Sequence, residues 1–436
     1  MTAPVGSFRN LRASVYFWPT AALFILGAIL QLFLASRSWI GGDQVHLLNL
    51  GLDFSVRHHL QPFAKMMSGA GANPGSLLQL LVGIPLLLLP HFHSPMLLIV
   101  LFHILSGVFF ISVINQTLGP KAACFAAAVY WLSPWRLYNG GFLWEPAYVF
   151  LPAAAHFWAS WRLRERKDFF SSALLLFAIV AAIQIHNSAF VLVLLTIVLF
   201  VRGTIRINVF GAIAGTLVGL ITVIPAIHAW MVDTLPPAQA SEGYIGRSMV
   251  LIYPALKGIL YWFTLGGLDV VRQLNETVFL TQGGLLSTIM IRTLQLFCVL
   301  SVGVSVFASW WYFRPMWSGH EHQDEPGKWL RSYAAGAFMS LVLSGALSPI
   351  VLQGWMVVIV LHAATIPVIA WADRKWTSVQ AGWGKMTAAG CYLALEVVLV
   401  LTLAHGSYIF QRYGPLPEGI DASRETELMR ILPHAR

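Results

Sequence analysis

The sequence predicts an all-α polytopic membrane protein of about 11 transmembrane helices. Three observations carry this. The 436 residues are 57% hydrophobic and only 10% charged, and their mean hydropathy is +0.71. Apolar runs long enough to cross a bilayer, about 20 residues each, recur from end to end. Lys and Arg gather in short loops between alternate runs, as the positive-inside bias requires. Long runs without strict alternation exclude a β-barrel. The net charge of +9 is spread over those short loops, so it reads as topology signals and not as a nucleic-acid groove. Cys124, Cys298 and Cys391 all lie in apolar segments. They read as small core residues, with neither metal spacing nor a disulfide framework.

The elements follow in order. Arg9 and Arg12 precede the first run and place the N-terminus inside. Tyr16–Ser36 is the first span; it lacks a small-residue cleavage site, so it is not a removable signal. Residues 37–93 form the first outer loop. Within it, Val45, Leu48, Leu52, Val56 and Leu60 make one stripe of a helix from Gln44 to Leu60, suited to lie in the interface. Residues 68–75 read as a flexible loop. Ser76–Leu89 is apolar but short and carries Pro85, so it reads as re-entrant or interfacial. Counting it as a full span would put Arg162–Lys167 outside, against the charge bias.

Further spans are expected at 95–115, 122–135, 146–161, 169–185, 189–201 and 208–230. Residues 231–284 form a second long outer segment, followed by spans at 285–312, 332–347, 350–371 and 386–404. The tail, 405–436, is then outer, and the whole chain reads as one integral-membrane domain.

The stretch Ser38-Trp39-Ile40-Gly41-Gly42-Asp43-Gln44-Val45-His46 places a carboxylate just past the first span. Leu132-Ser133-Pro134-Trp135-Arg136-Leu137-Tyr138 and Phe142-Leu143-Trp144-Glu145-Pro146 place a second in the next outer loop. Gln184-Ile185-His186-Asn187-Ser188-Ala189 puts a histidine in the third. In this order, with an interfacial helix, a re-entrant helix and His93-Ser94-Pro95 at the entry to span 2, residues 16–201 resemble the GT-C glycosyltransferases. The bacterial relatives of the protein O-mannosyltransferases and the lipid A aminoarabinose transferases are the most similar. Two departures stand out. The mannosyltransferases usually follow the first Asp with Glu, where this chain has Gln44; many bacterial relatives carry Asn where it has Glu145. After residue 230 only topology is similar.

The resemblance implies a polyprenyl-phosphate sugar donor and inverting transfer on the outer face, with Asp43 as catalytic base or acceptor-positioning residue. A general base must come within hydrogen-bond reach of the acceptor hydroxyl; equally, Asp after Gly-Gly before an amphipathic helix is a preferred N-cap. Glu145 would assist in catalysis, or else stand at the start of span 4 beside Pro146. Two carboxylates with water oxygens suit Mg²⁺ or Mn²⁺. His186 is a candidate sugar or phosphate ligand, and also an ordinary structural histidine. Arg247, Lys257 and Arg272 are candidates to stabilise the lipid phosphate, with Arg136 behind them, and Tyr244 and Tyr253 to contact the sugar; headgroup binding explains the cations equally well. Asp53 and Arg57, at i and i+4, should pair. Edge tryptophans such as Trp18, Trp131, Trp135, Trp144, Trp161 and Trp230 read as an aromatic belt.

The function expected is a bacterial inner-membrane glycosyltransferase working on the periplasmic face, with a lipid-linked sugar donor and a glycan, lipid or protein acceptor. The alternative is a transporter or flippase of a lipid-linked sugar. The acids favour the enzyme because they sit in outer loops; Glu396, inside the last span, is the main exception.

Overall fold

The computed structural model describes residues 11–38, 40–67, 71–232, 252–274, 277–318, 324–348, 352–378 and 382–413. The chain is an integral membrane protein. Among the described residues, seven helices are long and apolar enough to cross a bilayer, and three shorter apolar helices accompany them. The first span is α1 (Phe17–Ser36). The interfacial helix α2 (Gly42–Ser55) is shorter than its stripe: Val45, Leu48 and Leu52 are buried, whereas Val56 and Leu60 lie beyond its end and are exposed. The expected flexible loop instead contributes to an antiparallel pair, β1 (Phe63–Met67) with β2 (Gly71–Pro74). Then α3 (Leu77–Leu88) keeps Pro85 inside it and packs on α2. The two helices cross where both are small. A Cβ on Gly83 would lie 2.8 Å from Phe54 Cδ1, and one on Gly51 2.7 Å from Val82 Cγ1. The Arg57–Asp53 pair forms at 3.3 Å, but Asp53 is buried and also accepts from Gln61 Nε2 at 3.2 Å.

The bundle continues with α4 (His93–Leu118). The third expected span is broken into α5 (Pro120–Ala126), a π-turn (Ala127–Trp131) and α6 (Pro134–Asn139), because Ser133-Pro134 cannot continue a helix. The fourth splits into α7 (Glu145–Tyr148) and α8 (Phe150–Arg162). After α9 (Phe169–Ile185) and α10 (Ala189–Val201) come α11 (Val209–Leu220) and α12 (Ile224–Met231). Asp168 caps α9, accepting from the Ser171 N–H at 2.9 Å and its hydroxyl at 2.5 Å. These bonds, the hydroxyl foremost, hold the Asp168 carboxyl below its ordinary range. A depressed folded-state pKa stabilises above the unfolded value and is lost as pH falls through the folded one. Asp168→Ala should therefore cost about 1 kcal/mol at neutral pH, a difference that disappears once the medium is acidic enough to protonate the folded carboxyl. Unfolding midpoints of the pair across pH check this.

α11 lies on α9 through Gly211, Gly215 and Gly219, a small-xxx-small stripe. A Cβ on Gly215 would run into the Ala173 carbonyl oxygen, and one on Gly211 into that of Phe169. The opposite face of α11, with Val209, Phe210, Ile213, Leu217 and Val218, is exposed. Gly215→Leu should cost at least about 2 kcal/mol by forcing the helices apart. Gly303→Leu, where a Cβ meets nothing within 4 Å, should leave the melting temperature in detergent unchanged.

Residues 252–274 differ from a simple outer loop. They form α13 (Ile252–Thr264) and α14 (Gly267–Leu274), which pack into the bundle. Pro254 sits against Gly345 near the end of α17 (Glu325–Leu347), and Trp262, fully buried, meets Phe338 one turn and more deeper. Two positive-φ residues, Leu265 and Gly266, make the turn between them. Then α15 (Thr277–Phe313) kinks at Gly284, and the short α16 (Pro315–Ser318) precedes α17. Arg331, one residue before the span expected at 332–347, is a buried residue of α17. The last two spans are α18 (Leu361–Ser378), preceded by two short 3-10 turns, and α19 (Gly382–Tyr413).

Two contacts join loops expected on the same side. The basic loops 162–167 and 202–206 meet: the Arg206 N–H donates to the Leu163 carbonyl at 2.8 Å. Lys121 pairs with Asp373 at 3.2 Å. A buried polar chain links α8, α10, α17 and α18, running Thr196–His156–Tyr333–His362 with separations of 2.8, 3.1 and 3.4 Å. The tryptophans divide. Trp18 and Trp230 are exposed as a belt requires, but Trp131, Trp135, Trp144 and Trp161 are buried. Trp131 stacks on Phe24 and donates to its carbonyl at 2.8 Å. These edges face other helices, so the indole serves the core.

Candidate active site

Three connections and one inserted helix pair carry the residues expected to act. In the first, α2 starts at Gly41, whose N–H donates to Gln44 Oε1 at 2.8 Å and whose carbonyl accepts from the Val45 N–H at 3.0 Å. Gln44 is buried and performs the cap. Asp43 is therefore not the N-cap. It lies in the first turn with its side chain exposed, where the helix dipole favours a negative charge. Gln44, which departs from the acidic neighbour of the mannosyltransferases, has a structural task here.

The second connection, residues 139–145, is buried throughout. Trp144 is the extended N-cap of α7, and its indole N–H donates to the Asn139 carbonyl at 2.9 Å. Glu145 opens α7, with Pro146 after it, and is only 5% exposed. Close to it lies a hub centred on Arg136. Arg136 is buried and cannot serve as a headgroup clamp. Its Nε and Nη2 donate to the Trp131 carbonyl at 2.9 and 2.6 Å, and its Nη1 to Gln31 Oε1 at 3.1 Å and His103 Nδ1 at 2.9 Å. The guanidinium also lies 3.9 Å from the Trp131 ring centroid. Arginine only donates, so His103 Nδ1 accepts and Nε2 carries the proton. That Nε2 donates to the Ala147 carbonyl at 3.0 Å. The hub thus joins α1, α4, α6 and the Glu145 helix. Its sequence signal was present: Gln31 and His103 are polar residues within apolar spans.

In the third connection, His186 is the extended C-cap of α9, and its Nδ1 lies 2.9 Å from Ser188 Oγ. The segment between α1 and α4 docks here. Asn73 Nδ2 donates to the Ile185 carbonyl at 3.1 Å, and the Ser76 N–H to the Thr222 carbonyl at 2.8 Å. Gln184 completes the joint, accepting from Thr222 Oγ1 at 2.8 Å and donating to the Gly219 carbonyl at 2.9 Å. The stretch Asn73–Ser76, between β2 and α3, therefore packs against the end of α9 that carries His186.

Of the expected phosphate and sugar ligands, Tyr244 and Arg247 lie outside the described residues. Lys257 is half-buried on α13, its ammonium 5.5 and 5.8 Å from the ring centroids of Tyr253 and Tyr261. Arg272 is exposed on α14. Among the described residues no group of three or more His, Cys, Asp or Glu could hold a metal ion. Asp43 and Glu145 differ in exposure and do not by themselves make a cation cage.

No protein-family profile matches the sequence, and no curated protein does. Solved structures do. ArnT from Cupriavidus metallidurans bound to undecaprenyl phosphate matches with a TM-score of 0.53 and 12% identity, over 92% of this chain and 77% of that one. The apo state of the same protein matches with a TM-score of 0.53 and 13% identity, over 90% and 77%. The oligosaccharyltransferase of Archaeoglobus fulgidus tethered to an acceptor peptide gives a TM-score of 0.48 and 11% identity, over 95% of this chain and 59% of that one. At such identities the likeness is one of fold. The chain is an integral membrane protein that shares its overall fold with ArnT.

Proposed function

We propose that this protein is a glycosyltransferase that moves a sugar from a polyprenyl-phosphate carrier to an acceptor at the outer surface of a bacterial inner membrane, with inversion. One observation carries the reading: the exposed Asp43 carboxylate stands in the first turn of the interfacial helix directly after the first span, relieved of capping by Gln44. The fold it shares with ArnT, solved with undecaprenyl phosphate, supports the choice of carrier. In the reaction, Asp43 takes the proton of an acceptor hydroxyl on a glycan, lipid or protein. The oxygen attacks the anomeric carbon, and the bond from that carbon to the phosphate oxygen breaks. Its electron pair leaves with the polyprenyl phosphate. Glu145 assists from the buried second connection. Lys257 and Arg272, with Arg247, offset the leaving charge, and His186 and Tyr244 contact the donor. A divalent cation such as Mg²⁺ or Mn²⁺ would be held through water by the Asp43 and Glu145 carboxylates.

The test uses purified full-length protein in detergent with a labelled polyprenyl-phosphate sugar and an acceptor extract. Label should leave the lipid and appear on the acceptor with no vesicle present. Label that only crosses a reconstituted bilayer, still attached to its lipid, would make the protein a flippase.

A further inference from the structure

Between α1 and α19, both mostly exposed helices, lies a cavity of about 870 Å³ that the transfer reaction does not use. Its mouth is at the end where α1, α5 and α19 start and α18 stops, marked by Tyr16, Lys121 and Trp376. Along α1 its wall runs from Tyr16 to Leu26, about 15 Å of helix rise. That is half of a hydrocarbon core of about 30 Å, so the cavity is as deep as one leaflet. Its walls are mostly apolar, with Leu26, Val129, Phe297 and Leu393 among them. Deeper in, Ser133 and Ser301 offer only a hydroxyl each. The Glu396 carboxyl is engaged or hidden: Oε1 accepts from the Tyr392 hydroxyl at 2.7 Å, and Oε2 is buried. Charge gathers at the mouth instead. Lys121 stands there, paired with Asp373 at 3.2 Å. Lys385 adds a second ammonium, 5.8 Å from the Trp376 ring centroid, and the exposed Arg12 lies in the turn that leads to Tyr16. Asp373 offsets one of these cations, so the mouth is positive.

We infer that the cavity holds an acyl chain of an anionic phospholipid, whose headgroup phosphate rests at the mouth among Lys121, Lys385 and Arg12. Each part of the ligand answers a separate feature. Apolar walls take a hydrocarbon chain and reject a free phosphate, which would leave its water behind. The depth matches a chain that ends at mid-bilayer. A basic pocket between spans suits an anionic headgroup, whereas a zwitterionic one would set its own ammonium against these cations. A polyprenyl phosphate that serves Asp43 keeps its phosphate at the opposite end of α1, 20 residues away and thus about 30 Å distant. The site is therefore separate from the transfer reaction and does not depend on it.

The experiment uses the full chain in phosphatidylcholine nanodiscs with three photoreactive probes. Two carry a diazirine on the same acyl chain, one with a phosphatidylglycerol and one with a phosphatidylcholine headgroup; the third is a diazirine-bearing polyprenyl phosphate. Labelling is read at residues 388–393, against the lipid-facing Phe210 of α11 as background. Phosphatidylglycerol should label residues 388–393 about five- to tenfold more than phosphatidylcholine does, the effect of one or two interfacial cations, and the two should be equal at Phe210. Lys385→Gln should cut that ratio about two- to fivefold. Ala22→Trp, which puts an indole on an exposed stretch of the wall, should bring labelling by both phospholipids down to the Phe210 background. Equal labelling by the two phospholipids at residues 388–393 overturns the proposal, as does wild-type labelling there no greater than at Phe210. Stronger labelling by the polyprenyl phosphate than by phosphatidylglycerol also overturns it and makes the cavity a site for the carrier. If Ala22→Trp does not fold, the wild-type ratio and Lys385→Gln decide.

Discussion

Asp43→Asn is expected to slow sugar transfer by about 10²–10⁴-fold, the ordinary contribution of a general base. The change keeps the size of the side chain and removes only its ability to take a proton. The helix should survive it, because the cap belongs to Gln44, whose Oε1 holds the Gly41 N–H at 2.8 Å. The melting temperature of the variant in detergent should therefore equal that of the wild type while turnover collapses. Gln44→Ala gives the complementary result: about 1 kcal/mol less stability, with a smaller loss of rate through the displaced first turn. Wild-type turnover by Asp43→Asn on a defined lipid donor would remove the base assignment. It would leave Asp43 as an acid that merely suits a helix N-terminus.

Arg136→Leu should destabilise the protein by about 3–5 kcal/mol, the penalty for breaking a buried charged hydrogen-bond network from one side. The substitution strands the Trp131 carbonyl, Gln31 Oε1 and His103 Nδ1 together, and each is buried. It also frees His103 to change tautomer, since nothing then obliges Nδ1 to accept. Its hold on the Ala147 carbonyl, two residues from Glu145, loosens with it. Arg136→Lys should recover only part of the loss. One ammonium cannot reproduce the planar fork that serves three partners at once. Thermal unfolding in detergent measures both variants, and a cycle with His103→Leu measures their coupling. A melting temperature for Arg136→Leu within a degree or two of wild type would show that the hub contributes little to the fold.

The site was partly legible in the sequence. Asp43, Glu145 and His186 could be named because each follows or precedes a run whose length fixes where the membrane ends. Their surroundings could not. Asp43 as N-cap and Asp43 as exposed acid differ only in which side chain reaches the Gly41 N–H. That is a matter of rotamer and packing at Gln44. Arg136 was misplaced for a similar reason. A cation after an apolar run looks interfacial by composition, yet the break at Ser133-Pro134 turns the chain back into the bundle and buries it. Residues 252–274 are the largest revision. Their charges read as an outer loop, whereas α13 presents Tyr261 and Trp262 to the bundle and keeps Lys257 half-buried between two tyrosines.

By itself the sequence determined that the chain is a helical membrane protein and where its long apolar helices lie. Those properties follow from local quantities: the apolar length that matches a bilayer, and the cost of carrying Lys and Arg across it. Tertiary structure alone decided which edge tryptophans became core, which polar residues joined into the Arg136 hub, and that Glu396 is buried beside a cavity. These depend on which faces of distant helices meet. In a bundle where nearly every face is apolar, hydrophobic pattern cannot rank the pairings; close packing at small residues and the pairing of scarce polar groups does.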